Sequence, residues 1–353
     1  MPKGSLLRGV LPEGCKHCGE GAKLVLLVTG KCTRRCFYCP LSAEKRGKDV
    51  VYADELKVEE NEDVVYEARM IDALGAGITG GDPLETPEKT CGYIELLKEN
   101  FGEEFHIHLY TSVTEPHIIK EVEESGLDEI RFHPPLWTWG NINTTAYAKA
   151  FDTVLRGSID LGVEIPLLPD EEKLTLRLIH SLDGLGVRFM NLDELEFSET
   201  NWMRLRKRGY DTKDDISSAV LGCDETAKRL LDEDVDMALH YCTSSFKDGI
   251  QLKNRITRRA KNIAGDWEMI TSEGTLLKGV IEASDLMDLK QELMEAFDIP
   301  EEMLNIDYEK SRLEVAPWVL QEIHEDIDLP CFMVEEYPTA DRLEVERERL
   351  NKK

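Results

Sequence analysis

Short apolar runs alternate with longer stretches of helical periodicity through the first two thirds of the chain. The runs predict strands at 23–29, 77–79, 106–111, 129–133, 163–167, 187–192 and 235–241. Between them, amphipathic stretches predict helices over 64–74, 93–99, 116–124, 146–161 and 174–182. Repeated strand–helix units imply a parallel sheet, open or closed. Right-handed crossovers put the strand C-termini on one rim, and ligands in such folds gather there. The expected class is therefore α/β, a partial βα barrel of about six or seven strands. A doubly wound open sheet is the alternative, which periodicity alone does not separate.

From about residue 266 the pattern changes. Strands are predicted at 267–271, 275–281, 305–308, 312–315 and 332–335, with one helix over 284–297. That helix carries the stripe Leu286, Leu289, Leu293 and Phe297, with Ser284 placed to cap it and Asp298-Ile-Pro300 to stop it. This reads as a small α+β domain. The charged tail 341–353 is expected to be a solvated helix end or a frayed segment. The expected organisation is an N-terminal Cys-x2-Cys segment over 1–22, a barrel over 23–265 and an accessory domain over 266–353.

The first strand runs directly into Cys32-Thr-Arg-Arg-Cys36-Phe-Tyr-Cys39. Three thiolates so close can hold three corners of a four-iron cube and leave the fourth iron open. Zinc with a fourth ligand from elsewhere is the competing use of such a loop. One strand later comes Gly80-Gly81-Asp82-Pro83. Two glycines allow close backbone approach, and Asp82 adds an acceptor for an ammonium.

Together these two phrases resemble the signature of the radical S-adenosylmethionine (radical SAM) superfamily, in the branch related to pyruvate formate-lyase activating enzyme. Over roughly 20–245, a length suited to one such barrel, the resemblance implies a partial (βα)6-type fold. It implies a 4Fe–4S cluster on Cys32, Cys36 and Cys39, with S-adenosylmethionine chelated at the open iron. Gly80, Gly81 and Asp82, an Asp where the family motif has Glu, would take the methionine amino group. Tyr38 would lie near the adenine. Thr111, Ser112, His133 and Asn191, at later strand ends, are candidates for ribose, carboxylate or substrate contacts. An external electron donor is implied, as is hydrogen abstraction from a protein or other substrate.

The nine cysteines include a second close pair, Cys15-Lys-His-Cys18. Its C-x2-C spacing is that of a metal half-site. With Cys242 and His240 it could hold zinc or a second iron–sulfur cluster. His106, His108 and Tyr110 alternate on a predicted strand and share a face, as hydrogen-bonded core groups or as ligands.

The net charge is −27, which disfavours indiscriminate binding to nucleic acid or anionic membrane. The apolar runs are far shorter than the roughly 18 residues of a membrane span. The start lacks a secretory signal, so a cytoplasmic protein is expected. Two basic clusters interrupt the acidic background, at 204–208 and 253–261. They motivate a second reading as an RNA-modifying radical SAM enzyme. A non-catalytic iron–sulfur or metal scaffold is a third.

Overall fold

A computed structural model describes residues 1–214 and 217–351. It divides into two units: Met1–Arg69 with Ala73–Leu252, and Met70–Asp72 with the chain from Lys253 onward. In chain order the first unit contains β1 (Leu6–Arg8), α1 (Glu13–Gly19), β2 (Lys23–Thr29), the short β3 (Tyr52–Ala53) and β4 (Leu56–Lys57), and α2 (Asn61–Met70). It continues with β5 (Gly75–Gly80), α3 (Pro87–Phe101), β6 (His106–Thr111), α4 (Pro116–Glu124), β7 (Glu129–Phe132) and α5 (Ala146–Leu155). Then follow β8 (Asp160–Leu167), α6 (Glu172–Gly184), β9 (Phe189–Glu194), α7 (Trp202–Lys207), α8 (Cys223–Leu231), β10 (Ala238–Cys242) and the one-turn α9 (Ser244–Phe246).

In β2, Leu24, Leu26 and Val28 are buried on one face and Leu27 and Thr29 on the other; in β6, Ile107 and Leu109 are buried on one face and His108 on the other. Strands buried on both faces are those of a parallel sheet covered by helices. Strands β10, β9, β8, β7, β6, β5 and β2 are parallel neighbours in that order. β1 lies antiparallel beside β10, and β3 antiparallel beside β2. Among the described residues the two ends of the sheet do not pair with each other. The parallel strands follow one another in chain order without the reversal of a doubly wound sheet, as in a partial barrel, and the loops after β2, β5, β6 and β7 share one rim.

The N-terminal segment is part of this unit, because β1 pairs Leu6 with Tyr241 and Arg8 with Leu239. The helix predicted over 146–161 stops at Leu155. A turn follows in which Ser158 donates from its amide and hydroxyl to Glu123, and β8 starts at Asp160. The alternation Leu161, Val163, Ile165, Leu167 is a strand period that the helical stripe before it had absorbed.

The second unit begins earlier than the composition suggests, at helix α10 (Lys253–Ile263). Arg259 of that helix donates to the Pro338 carbonyl at 2.5 Å. After it come β11 (Met269–Ile270), β12 (Leu276–Ile281), α11 (Leu286–Phe297), β13 (Leu304–Asp307), β14 (Arg312–Val315), α12 (Pro317–Ile323), β15 (Cys331–Glu336) and β16 (Glu344–Arg349). The sheet is antiparallel in the order β13-β14-β12-β15-β16, with β11 on β12. Two expectations are corrected here. Helix α11 is capped by Asp285, whose side chain accepts from Asp288 N–H, and not by Ser284. Residues 344–349 form an edge strand and not a helix end, its charged side chains blunting the edge against further pairing.

One face of this sheet carries Ile281, Leu313 and Val315 against Leu289, Leu293, Leu320 and Ile323. The alternate residues make a buried charge network. Lys278 reaches Glu268 at 2.5 Å, Glu336 at 3.0 Å and Glu314 at 3.2 Å, and Arg312 pairs with Glu314, Glu336 and Glu344. Burial pushes Glu336 upward, but Lys278, Lys310 and Arg312 outweigh it and hold the carboxyl at about 2. No helix among the described residues is long and apolar enough to cross a membrane.

Candidate functional site

The loop after β2 closes on its own neck. Gly30 N–H donates to the Lys48 carbonyl at 2.8 Å, and Gly47 N–H to the Gly30 carbonyl at 2.7 Å. A Cβ on Gly30 would lie 1.7 Å from the Lys45 carbonyl, so glycine is needed there. Cys32, Cys36 and Cys39 hang between these ends. The loop carbonyls are held from outside: Arg204 donates to Cys36 O at 3.2 Å, Asn201 to Tyr38 O at 2.9 Å and Arg46 to Cys39 O at 3.0 Å. Arg34 crosses to β6, donating to the hydroxyl and the carbonyl of Ser112, each at 3.2 Å. As anchors of the loop these four residues escaped the sequence reading, in which Arg204 figured only within the basic cluster 204–208 and Arg34 only within the cysteine motif.

Gly80 and Gly81 press against the root of the same loop. Gly81 N–H donates to Thr29 O at 2.7 Å and Asp82 N–H to Lys31 O at 2.8 Å. Added Cβ atoms would lie 2.2 Å from Thr29 O and 2.1 Å from Lys31 O. Here the glycines let one backbone approach another, stitching the β5 end to the start of the cysteine loop.

Asp82 is buried and fully engaged. Oδ1 accepts from Thr111 Oγ1 at 2.7 Å and Leu84 N–H at 3.2 Å; Oδ2 accepts from Ser112 N–H at 2.8 Å and Ser112 Oγ at 2.7 Å. Thus Asp82, Thr111 and Ser112, singled out separately in the sequence, meet in one cluster joining the ends of β5 and β6. Tyr38 and His133 also meet, hydroxyl to Nε2 at 3.0 Å. The Tyr38 hydroxyl also lies beside the Cys36 thiol, where it opposes the effect of burial. Burial lowers the His133 pKa, so the ring is neutral.

The thiols suit a soft metal. Burial pushes Cys32 up to about 11 and raises Cys36, the latter opposed by the Tyr38 hydroxyl, so loading an iron–sulfur group must displace protons. Three free thiols on a backbone fixed through its carbonyls are a donor set that fits such a group. Among the described residues no three His, Cys, Asp or Glu side chains are already drawn together as a metal cage, in this loop or elsewhere.

Asn191 is placed elsewhere. Its amide donates to Glu164 at 2.7 Å and to Cys15 Sγ at 3.3 Å, inside the sheet's concave face, and it is grouped with neither Asp82 nor Ser112. It belongs to a polar interior. Arg131 pairs with Glu129 at 2.5 Å and Glu164 at 2.8 Å, and Lys23 meets His108 Nε2 at 3.3 Å across Gly77, which has no side chain to block them. Burial raises Glu164, but Arg131 and Asn191 outweigh it and keep it ionised. Asp193 is pushed up to about 7, by burial first and then by the Glu164 charge. His106 and His108 are members of this network, and burial lowers both.

Helix α1 covers the same interior. A Cβ on Gly14 would lie 2.4 Å from His108 Nδ1 and 2.8 Å from Arg131 Nη2. His240 is aligned with Asn191 across β10 and β9, and Cys242 is two residues on, so both share the face on which Cys15 meets Asn191. Both ring nitrogens of His240 are buried without a hydrogen-bond partner, and burial lowers its pKa to about 4. Cys15 and Cys18 are near enough to Cys242 to help raise its pKa, after burial and Asp193.

The basic clusters are mostly committed internally. Arg258 donates to the Ile71 and Asp72 carbonyls, Arg259 to Pro338 O, and Lys253 pairs with Glu273. In the other cluster Arg204 holds the cysteine loop, and Arg208 pairs with Asp170 and Glu171. Arg206 and Lys207 remain exposed on α7.

The family model described as the radical SAM superfamily matches residues 26–134, and one described as a domain of unknown function matches 274–350. A protein of Methanocaldococcus jannaschii, named as a glycyl-radical enzyme activating enzyme, is 40% identical over 358 residues, covering 96% of this chain and 92% of its own. Among solved structures, methylornithine synthase aligns at a TM-score of 0.42 with 11% identity, over 59% of this chain and 61% of its own. A maturase of the FeFe-hydrogenase aligns at 0.40 with 14% identity, over 63% of this chain and 54% of its own.

Proposed function

The chain belongs to the radical SAM superfamily, in the branch related to pyruvate formate-lyase activating enzyme, and on that premise we propose that it cleaves S-adenosylmethionine reductively to take a hydrogen atom from a protein. The observation that carries this reading is the cysteine loop, held open at the barrel rim and stitched by its root to Gly80, Gly81 and Asp82. Cys32, Cys36 and Cys39 would hold the 4Fe–4S cluster. Bound there, the group would relay one electron from an external reductant to the sulfonium, supplying reductive cleavage of the S–C5′ bond and hydrogen-atom abstraction.

The protein's own residues then have separable tasks. Arg204, Asn201 and Arg46 fix the loop backbone. Asp82 acts as a positioning residue: it orders the ends of β5 and β6, beside which the methionine end of the cofactor would lie. Tyr38, backed by neutral His133, packs beside the loop where the adenine would lie. Thr111 and Ser112 act through Asp82.

A protein substrate is favoured by the name of the M. jannaschii relative. The RNA reading is favoured less, because Lys253, Arg258 and Arg259 of 253–261 are taken up by carbonyls and acids, and Arg206 and Arg208 of the other cluster pair with acids. A second metal, zinc or iron–sulfur, is proposed at Cys15, Cys18, His240 and Cys242, favoured by the buried, unpartnered His240 ring. The test of the main reading is anaerobic incubation with S-adenosylmethionine and dithionite. Equal amounts of 5′-deoxyadenosine and methionine are expected. Cluster-loaded protein that yields neither would leave the scaffold reading standing.

A further inference from the structure

We propose that α7, with the outer side of the cysteine loop, is the docking surface for an acidic one-electron donor protein. The proposal rests on the reading that the loop carries an iron–sulfur cluster. Helix α7 touches that loop directly: Arg204 binds the Cys36 carbonyl, and the Arg208 guanidinium sits 4.8 Å from the centre of the Phe37 ring. An electron delivered at α7 therefore has a short path to the cysteines. In the transfer the donor loses one electron and the iron–sulfur group gains it, with no bond made or broken.

The surface has the composition of a protein interface. At its centre are Trp202, 42% exposed, and Met203, 78% exposed. The Arg206 guanidinium lies 5.2 Å from the Trp202 ring centre. Exposed aromatic, Met and Arg side chains are enriched at interface centres and hot spots. Around them cations outnumber acids along the chain, although Arg206 pairs with Asp211, Arg208 with Asp170 and Glu171, and Lys31 with Asp49. Residues 202–208 hold four cations and no acid, Arg204, Arg206, Lys207 and Arg208. The loop adds Lys31, Arg34, Arg35, Lys45, Arg46 and Lys48 against Glu44. Arg35, Arg206, Lys207 and Lys48 are exposed.

In a chain of net charge −27 this local sign matters. An acidic partner is repelled by most of the surface and attracted here, which sets its orientation as well as its rate of encounter. RNA fits less well. Its backbone would run beyond a patch this small into acidic surroundings, and the apolar Met203 offers nothing to phosphate. The protein substrate must instead bring a carbon to the cofactor, inside the rim, whereas a donor needs only the outside of the loop.

The test is direct binding of an oxidised acidic ferredoxin to cluster-loaded protein by calorimetry, at low and at physiological ionic strength. Binding is expected to weaken about tenfold or more with salt, and by at least as much in the double variant Arg206→Glu, Lys207→Glu. Lys228→Glu on α8, the charge control, is expected to bind as the wild type does. S-adenosylmethionine cleavage driven by dithionite should be unchanged in the double variant, because a small reductant needs no docking, while cleavage driven by reduced ferredoxin should fall. Equal affinity of wild type and double variant overturns the proposal. So does RNA binding that depends on Arg206 and Lys207 with no ferredoxin binding. Ferredoxin binding through these residues, in a protein that dithionite cannot drive, would overturn the reading of the site and leave the docking surface standing.

Discussion

Anaerobically reconstituted Cys36→Ala protein is expected to lose its four-iron cluster and to release no 5′-deoxyadenosine above background. Each thiolate occupies one corner of the cube, and removing one leaves two sulfur ligands where three are needed. The fold should survive. Cys36 is only half-buried, and the strands on either side are held by their own ladders and by the loop's carbonyl anchors. Cooperative thermal unfolding of the iron-free variant, close to that of iron-free wild type, checks this. The triple variant Cys32/Cys36/Cys39→Ala extends the measurement. Metal that remains, about one centre per chain, is expected at Cys15, Cys18, His240 and Cys242, and its identity separates zinc from iron with sulfide. Full iron content and full cleavage in Cys36→Ala would remove the loop from the site.

Asp82→Ala is expected to destabilise the apo protein, not merely to weaken the cofactor. The substitution strands four donors, the Leu84 and Ser112 amides and the Thr111 and Ser112 hydroxyls, in a buried place. Hydrogen bonds to a buried carboxylate contribute about 1.5–3 kcal/mol each, and donors left unsatisfied add to the loss. After partial relaxation a total of about 3 kcal/mol is expected. For a unit of this size that lowers Tm by roughly 6–12 °C. Thermal unfolding without S-adenosylmethionine reads this directly. An unchanged Tm with weakened cofactor binding would show instead that the carboxylate touches the ligand.

The strands at 23–29 and 106–111 were legible with their bounds, the first as a branched apolar run and the second by its alternation of His106, His108 and Tyr110 with Ile107 and Leu109. The cysteine loop and Gly80-Gly81-Asp82-Pro83 were legible as neighbours on one rim, because the parallel topology puts consecutive strand ends together. Their contact was not. Glycine's missing Cβ reads as room for a ligand, and nothing local says that the room is filled by the Thr29–Lys31 backbone. Asp82, Thr111 and Ser112 were each visible as polar strand-end residues, but the bond between them spans some 30 positions and has no local signature. Asn191 was placed by its strand alone, and the strand does not reveal that α1 folds over the interior and brings Cys15 to it. At the C-terminus, charge suggested solvent, whereas an edge strand tolerates charge on nearly every residue.

Deuterium transfer tests the central claim most directly. A protein substrate labelled with deuterium at glycine Cα is incubated without oxygen with the cluster-loaded enzyme, S-adenosylmethionine and a reductant. The account predicts deuterium in the 5′-deoxyadenosine recovered and a carbon-centred radical signal on the substrate protein. 5′-Deoxyadenosine free of deuterium, even when every carbon of the protein fraction carries the label, would contradict hydrogen abstraction from a protein.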